Sequence, residues 1–354
     1  MLMTMRWFGR QNDSVSLEHI RQVPGVKGVI SSLYGKMPGQ VWSIEEIRAL
    51  KTEIESAGLI LAGIESVNVH ESIKLGSPER DQYIDNFITT LANLGEAGVN
   101  LVCYNFMPVF DWVRTDLIKR RDDGSVVMSY DQSVLDSLDP VGIAELMNSQ
   151  SGGYSLAGWE PARMARLGEI FALYKNMDDE KIFANLHYFI ERIMPVCGKY
   201  NINMAIHPDD PAWSVFELPR IVTSRENLLR LIGLSDNVHH GVLVCTGSLG
   251  TSPDNDIPAI IHSLRGRIHF AHVRNVRRTA PGRFEESAHF SGDGSLDMFA
   301  IMKALYDTGF QGPIRPDHGR TIWGEKCMPG YGLYDRALGA AYLLGLWEAI
   351  ERME

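Results

Sequence analysis

Short apolar runs alternate with amphipathic stretches along most of the chain. Eight of these runs have the length and composition of strands: "TMRWFG", "VKGVISSL", "LILAGIESV", "VNLVCYNF", "NMAIH", "GVLVCTG", "IHFAHV" and "PIRPD". Their apolar residues are nearly continuous, as expected of parallel strands covered on both faces. The stretches between them keep the helical period and carry end signals. In "SIEEIRALKTEIESAG", Ser43 and Glu46 fit a capping box and Gly58 a C-terminal stop. A second helix on the same plan is predicted between Ser77 and Gly98. Eight strand–helix units in 354 residues predict an α/β fold, a single (β/α)₈ TIM barrel over residues 1–354, in preference to an open doubly wound sheet. Closure of the sheet is not specified by the pattern itself.

One segment breaks the rhythm. From about Asp111 to Asp178 the chain is polar, with "RTDLIKRRDDGS" and "NSQSGGYSLAG", and no strand is followed promptly by a helix. Tyr130, Leu135, Leu138, Trp159 and Phe171 argue against a disordered linker there. A long, partly helical insertion after strand four, serving as a lid or a subunit contact, is the expectation.

Composition narrows the partners. A net charge of −10 excludes nucleic acid and anionic membranes as partners held by bulk charge, and no run approaches the roughly 20 apolar residues of a membrane span. Cys103, Cys197, Cys245 and Cys327 form no CxxC pair and suit a reducing compartment. A cytoplasmic protein acting on a small molecule is expected.

The last four predicted strands end in His207, Cys245, His272 and Asp317. Consecutive barrel strands are neighbours, so these side chains can meet at the C-terminal mouth, where barrel active sites sit. Two imidazoles, a thiolate and a carboxylate suffice to hold a metal. Each residue alone could equally be a satisfied strand-end polar group, and the spacing is long; only the shared barrel phase singles the four out. Arg274, two residues past His272 on the same strand face, suits a substrate carboxylate or an ion pair with Asp209 or Asp210. Trp7 and Asn105 end strands one and four and could bind hydroxyls, although a strand-end Trp more often packs; His70 is a further mouth candidate.

Longer stretches then carry a resemblance. "RWFG", "GQVWSIEEI", "VCYNFMPVFDWVRTDL", "MAIHPDDP", "CTGSLG", "HFAHVRN", "GDGSLDM", "RPDHG" and "PGY" resemble the mannonate dehydratases over nearly the whole chain. The resemblance implies a xylose-isomerase-like barrel that removes water from D-mannonate to give 2-dehydro-3-deoxy-D-gluconate in hexuronate breakdown, with Mn²⁺ or Fe²⁺. It carries the metal ligands onto His207, Cys245, His272 and Asp317, and the acid–base positions onto His318 and Tyr331. A homo-oligomer, dimer or higher, is expected as well.

The chemistry needs such residues. A proton must leave C2 beside a carboxylate, which adds charge to an anion, and hydroxide must leave C3. A divalent cation answers the first difficulty and a general acid the second. His318, with an ordinary pKa of about 6.5, could exchange protons either way or support the metal; Tyr331, ordinarily near 10, could be its partner. A Cys–His₂–Asp set resembles a zinc site, but catalysis needs open positions, which Mn²⁺ and Fe²⁺ supply; Zn²⁺ is expected only as an adventitious occupant. An aldose–ketose isomerase or epimerase fits a cysteine ligand poorly, and intact His318, Tyr331 and Arg274 argue against a silent sugar-acid-binding protein.

Overall fold

The computed structural model describes residues 1–156, 158–159 and 165–353. The expected insertion is therefore described except at 157 and 160–164. All eight expected runs are strands: β1 (Leu2–Arg6), β2 (Gly28–Ser31), β3 (Ile60–Glu65), β4 (Leu101–Tyr104), β7 (Asn203–Ile206), β8 (His240–Cys245), β9 (Ile268–His272) and β12 (Pro313–Arg315). They close into a barrel in the order β1-β12-β9-β8-β7-β4-β3-β2, and each neighbouring pair is parallel. The apolar runs are explained by their burial: every residue of β2, β4 and β8 is buried.

Helix ends follow local chemistry. Ser43 and Glu46 form the reciprocal capping box at the helix Ile44–Ser56, and Gly58 follows its end with φ +79°. The helix expected between Ser77 and Gly98 runs over Arg80–Glu96, with Glu79 at its N-cap and no side-chain cap bond. Alternate strand residues split the apolar core in two. A small plug of Ile30, Leu101, Cys103, Leu243 and Phe270, with Ala205, fills the barrel interior. The larger cluster lies between the strands and the surrounding helices.

The segment after β4 differs from its expected reading. It holds a hairpin, β5 (Asp116–Arg120) and β6 (Val126–Asp131), besides helices Gln132–Leu135, Pro140–Gln150 and Leu167–Leu173. A second hairpin, β10 (Val276–Ala280) and β11 (Arg283–Glu286), follows β9. Together they make an antiparallel sheet ordered β10-β11-β6-β5. Charged residues such as Lys119, Arg120, Arg277 and Arg278 interrupt their apolar pattern, which hides them from a hydrophobicity reading. Among the described residues, no helix is long and apolar enough to cross a membrane.

On the outer wall, Gly241 of β8 makes room for the His269 ring; a Cβ there would lie 2.2 Å from His269 Cδ2. Burial pushes His269 down to about 4, and its Nε2 is buried without a hydrogen-bond partner. Above pH 6.5 the ring is neutral in both folded and unfolded chains. As pH falls toward 4 the unfolded chain gains the proton first, so stability drops through that window. We expect His269→Gln to lose on the order of 1–2 kcal/mol less than the parent between pH 7 and 4.5, measured from urea midpoints at the two values.

Candidate metal centre and catalytic pocket

Three side chains from neighbouring strands converge at the C-terminal mouth. One ligand atom each from His207, Cys245 and His272 lies within 4.8 Å of the others, a spacing that could hold a metal ion. His207 directly follows β7, and its Nδ1 donates to the carbonyl of Pro208 at 2.6 Å, which leaves Nε2 as the nitrogen available to a ligand. Its ring lies 5.2 Å from that of His272. Cys245 closes β8, where Sγ accepts from Ser248 Oγ at 3.0 Å and Ser248 N at 3.4 Å. Burial and Asp317 would raise this thiol, but Arg274, His207 and His272 hold it well below its ordinary range, which favours the thiolate. Burial likewise disfavours a charged His207, yet the thiolate beside it raises the imidazole to about 9.

Asp317 completes the group from beyond β12. Its Oδ2 lies 3.7 Å from Cys245 Sγ and its Oδ1 3.6 Å from His272 Nδ1. The backbone there is left-handed, with φ +58°, a conformation that costs an Asp of order 1 kcal/mol and swings the carboxylate inward. Oδ1 is buried without a hydrogen-bond partner; Arg315 Nη2 is only 2.8 Å away but is not aligned to bond. A buried, unspent carboxylate oxygen beside two imidazoles and a thiolate fits a divalent cation.

A lattice of charges holds this group. Arg274 donates from Nε to Asp317 Oδ2, from Nη1 to Glu286 Oε2, and from Nη2 to Asp210 Oδ2, at 2.8, 2.8 and 2.9 Å. Arg114, from the segment after β4, binds Asp210 through both Nη atoms and Glu286 at 2.7 Å. Glu65, at the end of β3, lies 3.2 Å from His272 Nε2 and 2.8 Å from Arg315 Nη2. Burial would raise the Glu65 carboxyl, but Arg315 and Arg6 hold it well below the carboxylate range.

His318 and Tyr331 face the same pocket, a cavity of about 90 Å³, with their rings 5.0 Å apart. His318 Nδ1 is 3.4 Å from Glu286 Oε1. Burial pushes the Tyr331 phenol well above its ordinary range, partly offset by Arg315. An adjoining cavity of about 430 Å³ opens on the side of β1, β2 and β3. Arg6, Phe8, Ser66 and Asp111 line both.

The remaining candidates divide. Asn105 lines the small pocket. Trp7 does not: it is buried in the outer core, because the alternation that turns Arg6 and Phe8 inward turns Trp7 out. Arg274 is not free for a substrate; every guanidinium nitrogen already bonds to the protein, and its acidic partner is Asp210, not Asp209, which pairs with Arg220. His70 caps the helix Glu71–Leu75 through Nδ1 and stacks on Tyr83, in the larger cavity away from the metal group. Sequence reasoning missed Arg6, Glu65 and Arg315, whose signal was a charged residue closing an apolar strand. Arg114 and Glu286 had no comparable signal.

A closed parallel barrel with a thiolate and two imidazoles at adjacent strand ends, beside a polar cavity, defines a barrel enzyme with a candidate divalent-metal centre. The model of the D-mannonate dehydratase (UxuA) family matches residues 1–354. The chain is 61% identical over 353 residues to a mannonate dehydratase of Brachyspira hyodysenteriae, covering all of this chain and 99% of that one. It is 55% identical over 356 residues to that of Thermotoga neapolitana, with the same coverage. The crystal structure of mannonate dehydratase from Streptococcus suis serotype 2 superimposes with a TM-score of 0.90 at 43% identity, over all of this chain and 95% of that one. The chain belongs to the D-mannonate dehydratase family, a family of hydro-lyases. A D-psicose 3-epimerase from Clostridium cellulolyticum H10 shares the barrel at TM-score 0.57 and 12% identity, which is a likeness of fold alone.

If Arg274 is a strut, its loss should damage the whole protein. Arg274→Met leaves Asp317, Glu286 and Asp210 short of a partner, and we expect it to cost about 3–5 kcal/mol in thermal or urea unfolding. A variant of parental stability with only a raised KM would return Arg274 to the substrate.

Proposed function

We propose that this chain dehydrates D-mannonate to 2-dehydro-3-deoxy-D-gluconate, a step of hexuronate breakdown, with His207, Cys245, His272 and Asp317 as metal ligands. The observation that carries this is the group of His207, Cys245 and His272, with Asp317 beside the last two, at a small pocket that His207, Asp317, His318 and Tyr331 line. The buried Asp317 Oδ1, without a hydrogen-bond partner, supports a resident cation. Bound there, a divalent cation supplies the positive charge that the anion forming at C1 and C2 requires. Mn²⁺ or Fe²⁺ suits the role because either accepts more than the four protein ligands; Zn²⁺ is the tighter, adventitious competitor.

The chain's own groups move the protons. A phenol held protonated by burial is suited to give a proton, so Tyr331 protonates the departing C3 hydroxyl. His318 takes the proton from C2 first, its ring oriented by the contact between Nδ1 and Glu286. The C3 hydroxyl then leaves as water with the Tyr331 proton, and the enol that remains takes a proton at C3 to become the 2-keto-3-deoxy acid. Asn105 faces the substrate, and carbons 4 to 6 extend toward the larger cavity, where His70 sits.

The whole chain reads as one barrel domain, with residues 111–178 as a lid or subunit contact. Arg114 supports this by reaching from that segment into the charge lattice. A homo-oligomer, dimer or higher, is supported by Trp323, Tyr334 and Leu338, large apolar side chains left exposed on one side of the molecule. Four unpaired cysteines fit a cytoplasmic location.

The deciding experiment measures 2-keto-3-deoxy acid formed from D-mannonate by metal-stripped protein after adding Mn²⁺, Fe²⁺, Zn²⁺ or nothing. Product with Mn²⁺ or Fe²⁺ only is expected; none with any metal, on folded and metal-loaded protein, would sink the lyase reading. Cys245→Ala should lose both bound metal and turnover. His318→Asn should keep stoichiometric metal, read by elemental analysis, while kcat falls about 10²–10⁴-fold, the usual worth of a general base.

A further inference from the structure

With Arg274 spent on the protein, the substrate carboxylate needs another partner. Arg315, the last residue of β12, is 1% exposed and lines the small pocket. Its Nη2 serves Glu65 Oε1 at 2.8 Å, but Nε and Nη1 have no hydrogen-bond partner. Arg6, the last residue of β1, lines the same pocket and donates from Nε to the Tyr34 hydroxyl at 2.9 Å. Its Nη1 lies 3.2 Å from Glu65 Oε2 without the alignment of a hydrogen bond. Three buried guanidinium nitrogens are thus unspent on one wall. Buried donors are costly to leave unmet, so such a wall calls for an oxygen-rich ligand.

Arg6, Arg114, Arg274 and Arg315 face Glu65, Asp210, Glu286 and Asp317 in close ion pairs, so these eight charges match and donor geometry decides which ligand the wall prefers. A planar guanidinium matches a carboxylate better than a hydroxyl.

We propose that Arg6 and Arg315 together seat the carboxylate of the substrate, and that this seat selects sugar acids over neutral molecules of the same shape. The proposal rests on the lyase reading only for the identity of the acid.

The test needs no turnover. Calorimetry on Mn²⁺-loaded protein compares D-gluconate with D-gluconamide, which keeps the shape and loses the charge. The metal's own preference for the acid is common to all variants and drops out of the comparison. The parent should prefer the acid, and Arg6→Met and Arg315→Lys should each cut the acid-to-amide affinity ratio about tenfold or more, with Mn²⁺ content unchanged. Arg6→Lys, which keeps the pairing with Glu65, serves where Arg6→Met does not fold and should lower the ratio less. A ratio within twofold of the parent in either position, or a parent indifferent to charge, overturns the seat. A parent that prefers the acid yet makes no product from D-mannonate would overturn the lyase reading and leave the seat standing.

Discussion

The Arg274–Asp317 contact is the constraint on which the mouth of the barrel depends. Asp317 lies beside both Cys245 and His272 from a left-handed turn that its own backbone does not favour. What holds it there is Arg274 Nε at 2.8 Å, and the rest of that guanidinium is tied to Glu286 and Asp210. Buried charges survive only in such mutual company, because each ion left without a partner costs several kcal/mol. The lattice is thus a scaffold for Asp317 and the candidate metal group beside it, and its stability value is secondary to the position it enforces. His318 benefits from the same anchoring through Glu286.

Charge placement divides the molecule vertically. Below the mouth the barrel interior is apolar, filled by Ile30, Leu101, Leu243 and Phe270. Above it, Arg6, Glu65, Asp210, Arg315 and Asp317 bring charge into the pocket, among uncharged neighbours such as Phe8, Asn105 and Tyr331. The low dielectric of the plug strengthens each ion pair and also penalises any group left over, such as Arg315 Nε and Nη1. A site of this kind is preorganised: its dipoles are fixed before substrate arrives, and they need not turn as charge shifts.

Much of this was legible in the sequence. The eight strands were, because parallel strands buried on both faces write their position as apolar runs. The proximity of His207, Cys245, His272 and Asp317 was, because a single rule, strand ends meeting at one mouth, brings them together. The lattice was not, since Arg114 and Glu286 reach the site from hairpins whose pattern is broken by exposed charges, and pairing between residues 172 positions apart leaves no local trace. Trp7 failed by one residue of register: counting strand ends without tracking the alternation put the indole where Phe8 stands. Arg274 was placed on the correct face and Asp210 was named as a possible partner, but Glu286 and Asp317 come to it from distant parts of the chain and were not counted as its partners.

The sheet β10-β11-β6-β5 draws one hairpin from the chain after β4 and the other from the chain after β9, and so it bridges the ends of β7 and β8 between them. On the other side, among the described residues, the small pocket shares Arg6, Phe8, Ser66 and Asp111 with the larger cavity bordered by Tyr34 and His70, so a substrate longer than the small pocket has room there rather than among the hairpins.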